Sequence, residues 1–545
     1  KDQCILLTCY IEILKIILRV GCMIRGKRIA KTAFIIMMIS LFSKILGFVR
    51  EMVIAAKYGA SIDSDAYIMS ITIPSSVFVV VAGALATTFI PVLSEKIVNK
   101  SKKNTLKFIN NSLNVTLFLS IGITALGIIY APVLVKTIAP KFSGERYDLT
   151  VQLTKLTFPL VAFTVLSGVI TGALQSFGRF AAPAATGLPY SIIIIFTALT
   201  LTDAYGIKGL AIATVVAGLA QVLIQMPSLF KEGYGYEFVF DIRDKGISKI
   251  LLLTVPVMIS TGVQQINIVI GRIMASGLAV GSISALNYGN RLTGFVSGIF
   301  IAAISTVTYP TMAKLNACYD MSALRKVLLK GMNAIILIIS PAVTGLIALR
   351  YPIIRLLFER GAFDKNATQM TSTALLYLSF GLLGYGVRDL LNNAFYSIQD
   401  AKTPMINGIF TVTANTILLL TLVKPVGIGE LALAASLSAI LGAFILMSSL
   451  YKKIGNFGVK EFMCTSFKAI AASAIMGIIV SVSYKFMMSI NGMNTSITQA
   501  VGLFTIIGIG SLVYLFIISL LNVEEVREIF EFGRRISRNA LGKLF

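Results

Sequence analysis

The chain of 545 residues contains no histidine. This removes His-based triads, most transition-metal sites and the commonest general base. Cysteine is scarce. Cys4, Cys9, Cys22, Cys318 and Cys464 form no CxxC pair and show no zinc-like spacing. Charge is scarce too: 13% of residues are charged, against roughly 25% in a soluble domain, while 56% are hydrophobic. A soluble fold cannot hide that much apolar surface, so the chain reads as an all-α polytopic membrane protein. Acidic residues are outnumbered, 24 to 48, for a formal net charge of +24. On a soluble protein such an excess suggests nucleic acid. In a membrane protein it marks cytoplasmic loops.

Apolar runs of about 18–25 residues predict transmembrane helices. Fourteen are expected, at 31–49, 66–94, 112–138, 151–175, 182–202, 206–230, 248–275, 283–313, 328–349, 368–397, 403–423, 427–451, 464–489 and 497–521. With a cytoplasmic N-terminus, inside loops such as "EKIVNKSKKNTLK" and the tail "RRISRNALGK" hold about 28 Lys and Arg, against about 14 outside. That bias places both termini in the cytoplasm. Residues 1–22 are apolar but interrupted by Glu12, Lys15 and Arg19. They read either as an interfacial amphipathic helix or as a non-native extension before Met23. The expected organisation is an N-terminal segment (1–30), an N-lobe (31–231), a C-lobe (246–453), a further helix pair (464–521) and a basic tail (522–545).

The chain matches itself at an offset of 219–221 residues. "DAYIMSITIPSSVFVVVAGALATTFIP" (65–91) lies over "SALNYGNRLTGFVSGIFIAAISTVTYP" (284–310), "GALQSFGRFAAP" (172–183) over "NAFYSIQDAKTP" (393–404), and residues 206–231 over 427–452. Chance similarity would not hold one offset at three places. Six spans per copy give parallel repeats, a transporter design with substrate bound between two bundles and moved by rocking.

Polar residues inside the spans are costly; a charge near the bilayer centre costs roughly 2.5–3.5 kcal/mol. "SKILGFVRE" (43–51) carries Lys44, Arg50 and Glu51, with Gly47 expected to let the helix bend or pack closely. Asp65 begins the second span. Arg291 lies inside the eighth, with Asn287 one turn earlier on the same face. Cations facing a bundle interior point to an anionic ligand, because Arg offers a planar fork for phosphate oxygens and Lys a point charge. Asp65 is a candidate to hold Lys44 or Arg50 when no ligand is bound. Each has a plainer reading: Lys44 snorkelling to an interface, Arg50 at a helix end, Arg388–Asp389 a local charge pair. "GCMIRGKR" (21–28) has the GxxxxGK spacing but continues with Arg28 instead of Ser or Thr, so it is no P-loop. An enzyme acting on lipid-linked sugars would need paired carboxylates or a metal site; Asp63 and Asp65 diverge on a helix, and neither a catalytic residue nor a metal site is assigned. No cofactor is implied.

The motifs "SKILGFVREMVIAAKYGAS", "DSDAY", "TTFIPVLSE", "ALNYGNRL", "PIIRLLFERGAFD" and "NAFYSIQDAKTP" resemble the MurJ/MviN family of lipid II flippases, in the MOP transporter superfamily. The resemblance covers residues 31–521. It implies fourteen helices, two six-helix lobes in a V-shaped arrangement and an extra C-terminal pair. It implies flipping of lipid-linked peptidoglycan precursor from the inner to the outer leaflet of the bacterial plasma membrane, by a monomer, without nucleic acid. It maps the family's cavity cations onto Lys44, Arg50 and Arg291, with Asp65 as the acidic position. Lys44 stands where Arg is common, and Phe78 and Val79 stand where some members carry a basic pair. Helix 11 has Asn415 but no carboxylate for a sodium site. The alternative is a related exporter of another polyprenyl-diphosphate-linked oligosaccharide.

Overall fold

The computed structural model describes residues 27–99, 101–422, 427–489, 496–523 and 525–527; segment 1–22, the tail beyond 527 and the side chains of Phe78 and Val79 lie outside these. Every regular element among the described residues is helical: α1 (Lys27–Tyr58), α2 (Ile62–Asn99), α3 (Lys102–Ile129), α4 (Ala131–Ile138), α5 (Gly144–Thr157), α6 (Leu160–Ser176), α7 (Ala181–Ala185), α8 (Gly187–Thr200), α9 (Thr202–Leu223), α10 (Met226–Phe230), α11 (Lys245–Ala275), α12 (Ser282–Ala317), α13 (Met321–Ala348), α14 (Arg350–Phe358), α15 (Lys365–Ser397), α16 (Lys402–Leu422), α17 (Ile428–Ile454), α18 (Val459–Ser489) and α19 (Ser496–Leu520). Eleven helical segments among the described residues are long and apolar enough to cross a membrane. The expected spans 31–49, 66–94 and 248–275 fall on α1, α2 and α11. α2 and α12 start 220 residues apart, and each carries an internal proline toward its end, Pro91 and Pro310. This is the offset of the sequence repeat.

The chain forms two compact units. The first comprises the chain up to Ile54, 69–136 and 143–265; the second comprises 55–68, 137–142 and Ile266 onward. The pair α18 and α19 belongs to the second unit, where α18 packs along α13.

Proline shapes both units. A proline inside a helix cannot donate to the carbonyl four residues earlier. In lipid that carbonyl has no water to turn to, so another helix must supply the donor. Pro74 in α2 frees the carbonyl of Ser70, and Thr157 at the end of α5 donates its hydroxyl to it at 2.7 Å. Pro341 in α13 frees the carbonyl of Leu337, and the buried Tyr514 hydroxyl of α19 donates to it at 2.8 Å. The second bond fastens the C-terminal helix pair to its neighbours.

In the first unit an extended segment, 235–241, lies along α3. Asn110, Asn111 and Asn114 share one side of α3 and read its backbone. Their amides donate to the carbonyls of Gly235, Asp241 and Val239 at 2.9, 2.7 and 3.0 Å. Asn111 also accepts from the N–H of Asp241 at 2.7 Å, and Tyr234 and Tyr236 donate to Asn110 and Asn114. The segment ends at Asp244, 3.1 Å from Lys96 Nζ. Burial works to raise the Asp244 carboxyl, but Lys96 and the N–H groups of Gly246 and Ile247 outweigh it and hold the carboxyl below its ordinary value. Because the folded value is the lower one, this contribution to stability is complete above the unfolded carboxylate range and is lost as pH falls through the lowered value.

Tyr514→Phe and Thr157→Val each leave a buried carbonyl without its donor at nearly constant volume. Each is expected to lose about 1–3 kcal/mol, read as a lower midpoint of thermal unfolding in detergent. A control at the exposed Phe516, replaced by Leu, leaves the midpoint unchanged.

Candidate functional site

In the first unit, α1 carries Lys44 and Arg50. The helix does not stop at 49 as expected. The apolar run continues through Met52–Ala56, and the helix ends only before Gly59, whose φ of +61° lies in the left-handed region that terminates helices. Arg50 is therefore inside the helix and not at its end. Six positions apart, Lys44 and Arg50 lie on different faces. Lys44 is exposed. Arg50 is mostly buried, with Nη2 2.7 Å from Glu51 Oε1 and its guanidinium 5.2 Å from the Tyr190 ring of α8. α1 runs through Gly47 without a break. The tight approach to α8 is made instead by Gly187, where a Cβ would stand 2.2 Å from Ser43 Oγ.

In the second unit, Asp65 is fully buried. Oδ2 accepts from the N–H of Gly281 at 2.8 Å, and Oδ1 accepts from the N–H and hydroxyl of Ser284 at 2.8 and 2.5 Å. The residue before α12 is Gly281, with φ +86°, which offers no side-chain cap. Asp65 thus caps α12 from another helix, placing a negative charge where the first N–H groups and the helix dipole favour one. Ser64 Oγ meets Ser284 Oγ at 2.8 Å beside it.

The turn between α1 and α2 is locked by close backbone approaches. A Cβ on Gly59 would fall 2.2 Å from the carbonyl oxygen of Ala362, and one on Gly361 would fall 2.3 Å from that of Ala56. Ala362 N–H donates to Ala56 O at 2.8 Å, and Tyr288 OH donates to Gly59 O at 3.2 Å. Tyr288 packs among Phe358 and Phe363. The motifs "KYGAS", "ERGAFD" and "ALNYGN" meet at this knot.

Asn287 is half-buried one turn past the knot. Arg291, nine residues into α12, is exposed. Arg272, in the last turn of α11, interacts electrostatically with both Asp65 and Arg291. Sequence reasoning passed over it. Its signal is the one that singled out Arg291: an arginine inside an apolar run, here "INIVIGRIMA". The predicted residues therefore divide between the units, Lys44 and Arg50 in the first, Asp65, Asn287 and Arg291 in the second.

Two other polar pairs differ from expectation or refine it. Arg388 and Asp389 form no ion pair; the Arg388 guanidinium turns instead to the Tyr385 ring, 5.2 Å away. Asn415 donates its amide to Asn267 Oδ1 at 2.6 Å. Among the described residues no group of three or more His, Cys, Asp or Glu could hold a metal ion.

The comparisons with known proteins agree with one another. The family model described as "Lipid II flippase MurJ" matches residues 54–501. A probable lipid II flippase MurJ of Buchnera aphidicola subsp. Baizongia pistaciae is 31% identical over 468 residues, covering 85% of this chain and 91% of that protein. One of Vibrio cholerae is 30% identical over 516 residues, covering 91% and 97%. Among solved structures, lipid II flippase MurJ in an inward closed conformation is similar with a TM-score of 0.75 and 27% identity, over 90% of this chain and 98% of that one. An inward-facing multidrug resistance MATE family transporter of the MOP superfamily has a TM-score of 0.66 at 16% identity, over 78% and 98%, a likeness of fold.

Asp65→Ala leaves the buried N–H groups of Gly281 and Ser284 without their acceptor. It is expected to cost about 1–3 kcal/mol per group and to lower the thermal midpoint clearly, whereas Lys44→Ala, at an exposed position, leaves the midpoint in place. Equal midpoints for the two variants would show that Asp65 is not a structural cap.

Proposed function

The chain belongs to the lipid II flippase MurJ family, and from that premise we propose that it moves lipid II from the inner to the outer leaflet of the bacterial plasma membrane by alternating access. It acts as a transporter and not as an enzyme. It is a multi-pass membrane protein, and in this reading both termini face the cytoplasm and one chain suffices.

The observation that carries the reading is an arginine presented from a membrane-crossing helix. α12 is long and apolar enough to span the bilayer, and Arg291 is exposed on it. A cation at such depth is a functional position by default. The diphosphate of lipid II is the matching anion. Arg291 offers it two parallel N–H donors, with Arg272 adding positive charge nearby. Lys44 and Arg50 supply cations from α1, and Asn287 a polar neighbour one turn from Arg291. Charge on these groups lowers the cost of carrying a dianion through a low-dielectric environment, where uncompensated charge is most expensive. The polyprenyl tail stays in lipid.

Asp65 has a second part in this cycle. Its bonds to the start of α12 hold the α1–α2 turn on the knot at Gly281 and Gly361. In this reading that knot is the outer closure, and it separates when the site opens to the outer leaflet. Hydrogen bonds suit such a latch, since each contributes only about 0.5–1.5 kcal/mol net and can be exchanged for water.

The test is depletion of the resident flippase with rescue by this chain, scoring lipid II accessible on the outer leaflet. Wild type restores it. Arg291→Ala is expected to fail at normal protein level, and Lys44→Arg to succeed, because a fork replaces a point charge without loss of positive charge. Full rescue by Arg291→Ala would overturn the cationic site.

A further inference from the structure

A separate open cavity of about 400 Å³, lined by polar and apolar residues, lies within the second unit, between α12 and α15. Ser297 and Ser305 line it from α12; Asp389, Asn392, Asn393 and Tyr396 line it from α15. The spacings are those of one helix face on each side. Ser297 begins six residues beyond Arg291, about 9 Å along the helix axis, so the cavity is not the Arg291 position itself.

Among its lining residues the wall carries one carboxylate and no cationic side chain. Asp389 is exposed to the cavity, and among the described residues no hydrogen bond or ion pair reaches its carboxylate. Arg388 acts on it only electrostatically, its guanidinium being at the Tyr385 ring. Asn392 Oδ1 is buried and has no donor. Ser297 donates its hydrogen to Gly294 O at 3.1 Å, which leaves its oxygen as an acceptor. The lining thus offers a carboxylate and an amide oxygen that no hydrogen bond reaches among the described residues, and a hydroxyl oxygen that can accept. A buried acceptor without a donor costs about 1–3 kcal/mol, and an intramembrane carboxylate costs more. A ligand bringing positive charge and several donors would satisfy all three.

We propose that this cavity is a cation site that takes an ammonium group carried on the peptide portion of the transported headgroup, a proposal that rests on the lipid II reading above. A cavity of this volume exceeds what a dehydrated alkali ion fills but accommodates an ammonium with its carbon chain. Asp389 supplies the counter-charge, Asn392 Oδ1 and Ser297 Oγ accept two further N–H bonds, and Tyr396 borders the chain. The site then reads the headgroup at a different chemical group from the diphosphate, which Arg291 takes. It would discriminate lipid-linked precursors by their peptide.

The test uses the full chain in proteoliposomes with lipid II bearing a free side-chain amine and the same lipid with that amine acetylated. Wild type is expected to favour the free amine about tenfold or more, the size of a charge-assisted hydrogen bond. Asp389→Asn is expected to remove the preference while leaving transport of the acetylated lipid at the wild-type rate; Asp389→Glu restores part of it. Thermal midpoints of the variants separate loss of recognition from loss of fold. A parallel arm replaces sodium by choline and measures binding of Na⁺ and methylammonium to the protein in detergent by calorimetry. Sodium dependence lost in Asp389→Asn, with no amine preference, supports the cation site with a free ion as occupant. If neither the amine preference nor cation binding differs between wild type and Asp389→Asn, the proposal is wrong. If wild type moves neither lipid, the flippase reading fails instead, and calorimetry alone decides the site.

Discussion

A backbone N–H or carbonyl without a partner inside a bilayer costs several kcal/mol, because no water is there to replace the lost bond. Much of the tertiary structure follows from the places where the helices themselves create such groups. Pro74 and Pro341 each free a carbonyl, and each is met by a hydroxyl from a distant helix, Thr157 and Tyr514. α12 opens with N–H groups that its own preceding glycine cannot cap, and Asp65 of α2 caps them. The extended segment 235–241 lies outside the spans, where water is available, and three asparagines of α3 nonetheless take its carbonyls. These bonds are tertiary contacts first and local repairs second. Each ties a helix to a part of the chain distant in sequence.

Charge is handled by a different rule. The carboxylate of Asp65 is buried and spent on structure, whereas Lys44, Arg291 and Asp389 stand exposed on long helices. Burial separates the two classes more sharply than sequence position does. A charge with its bonds filled by backbone donors holds the fold. A charge exposed on a long helix is a candidate for ligand contact, which is the role proposed for Arg291 and Asp389. The second unit carries both kinds on α12 and its neighbours: arginines at one level and an acceptor-lined cavity farther along the same helix.

The helical architecture was legible because lipid leaves few options. Long apolar runs must be helices, and a repeat offset that holds at several places must be structural; α2 and α12 start at that offset. Arg291 and Lys44 were legible as candidates because a charge in such a run is conspicuous. Arg50 was legible as a residue but not as a position, since nothing in "GFVREMVIAAKY" marks where the helix ends until Gly59. Arg272 carried the same signal as Arg291 and was hidden by its closeness to a predicted span end. The pairing of Arg388 with Asp389 looked natural in a linear string, but the Arg388 guanidinium lies at the Tyr385 ring instead, which no pattern along the chain announces.

By itself, the sequence determined that the chain is a bundle of membrane helices with a repeated half, and that cations lie within its spans. These properties are local or periodic, and hydropathy and charge report them directly. Only the tertiary structure decided which polar residues are structural. Asp65 and Ser284 are 219 positions apart, and no pattern along the chain says that one caps the helix of the other. The role of a buried polar group is set by the partner that fills its hydrogen-bonding capacity, and that partner comes from whichever helix the packing brings near.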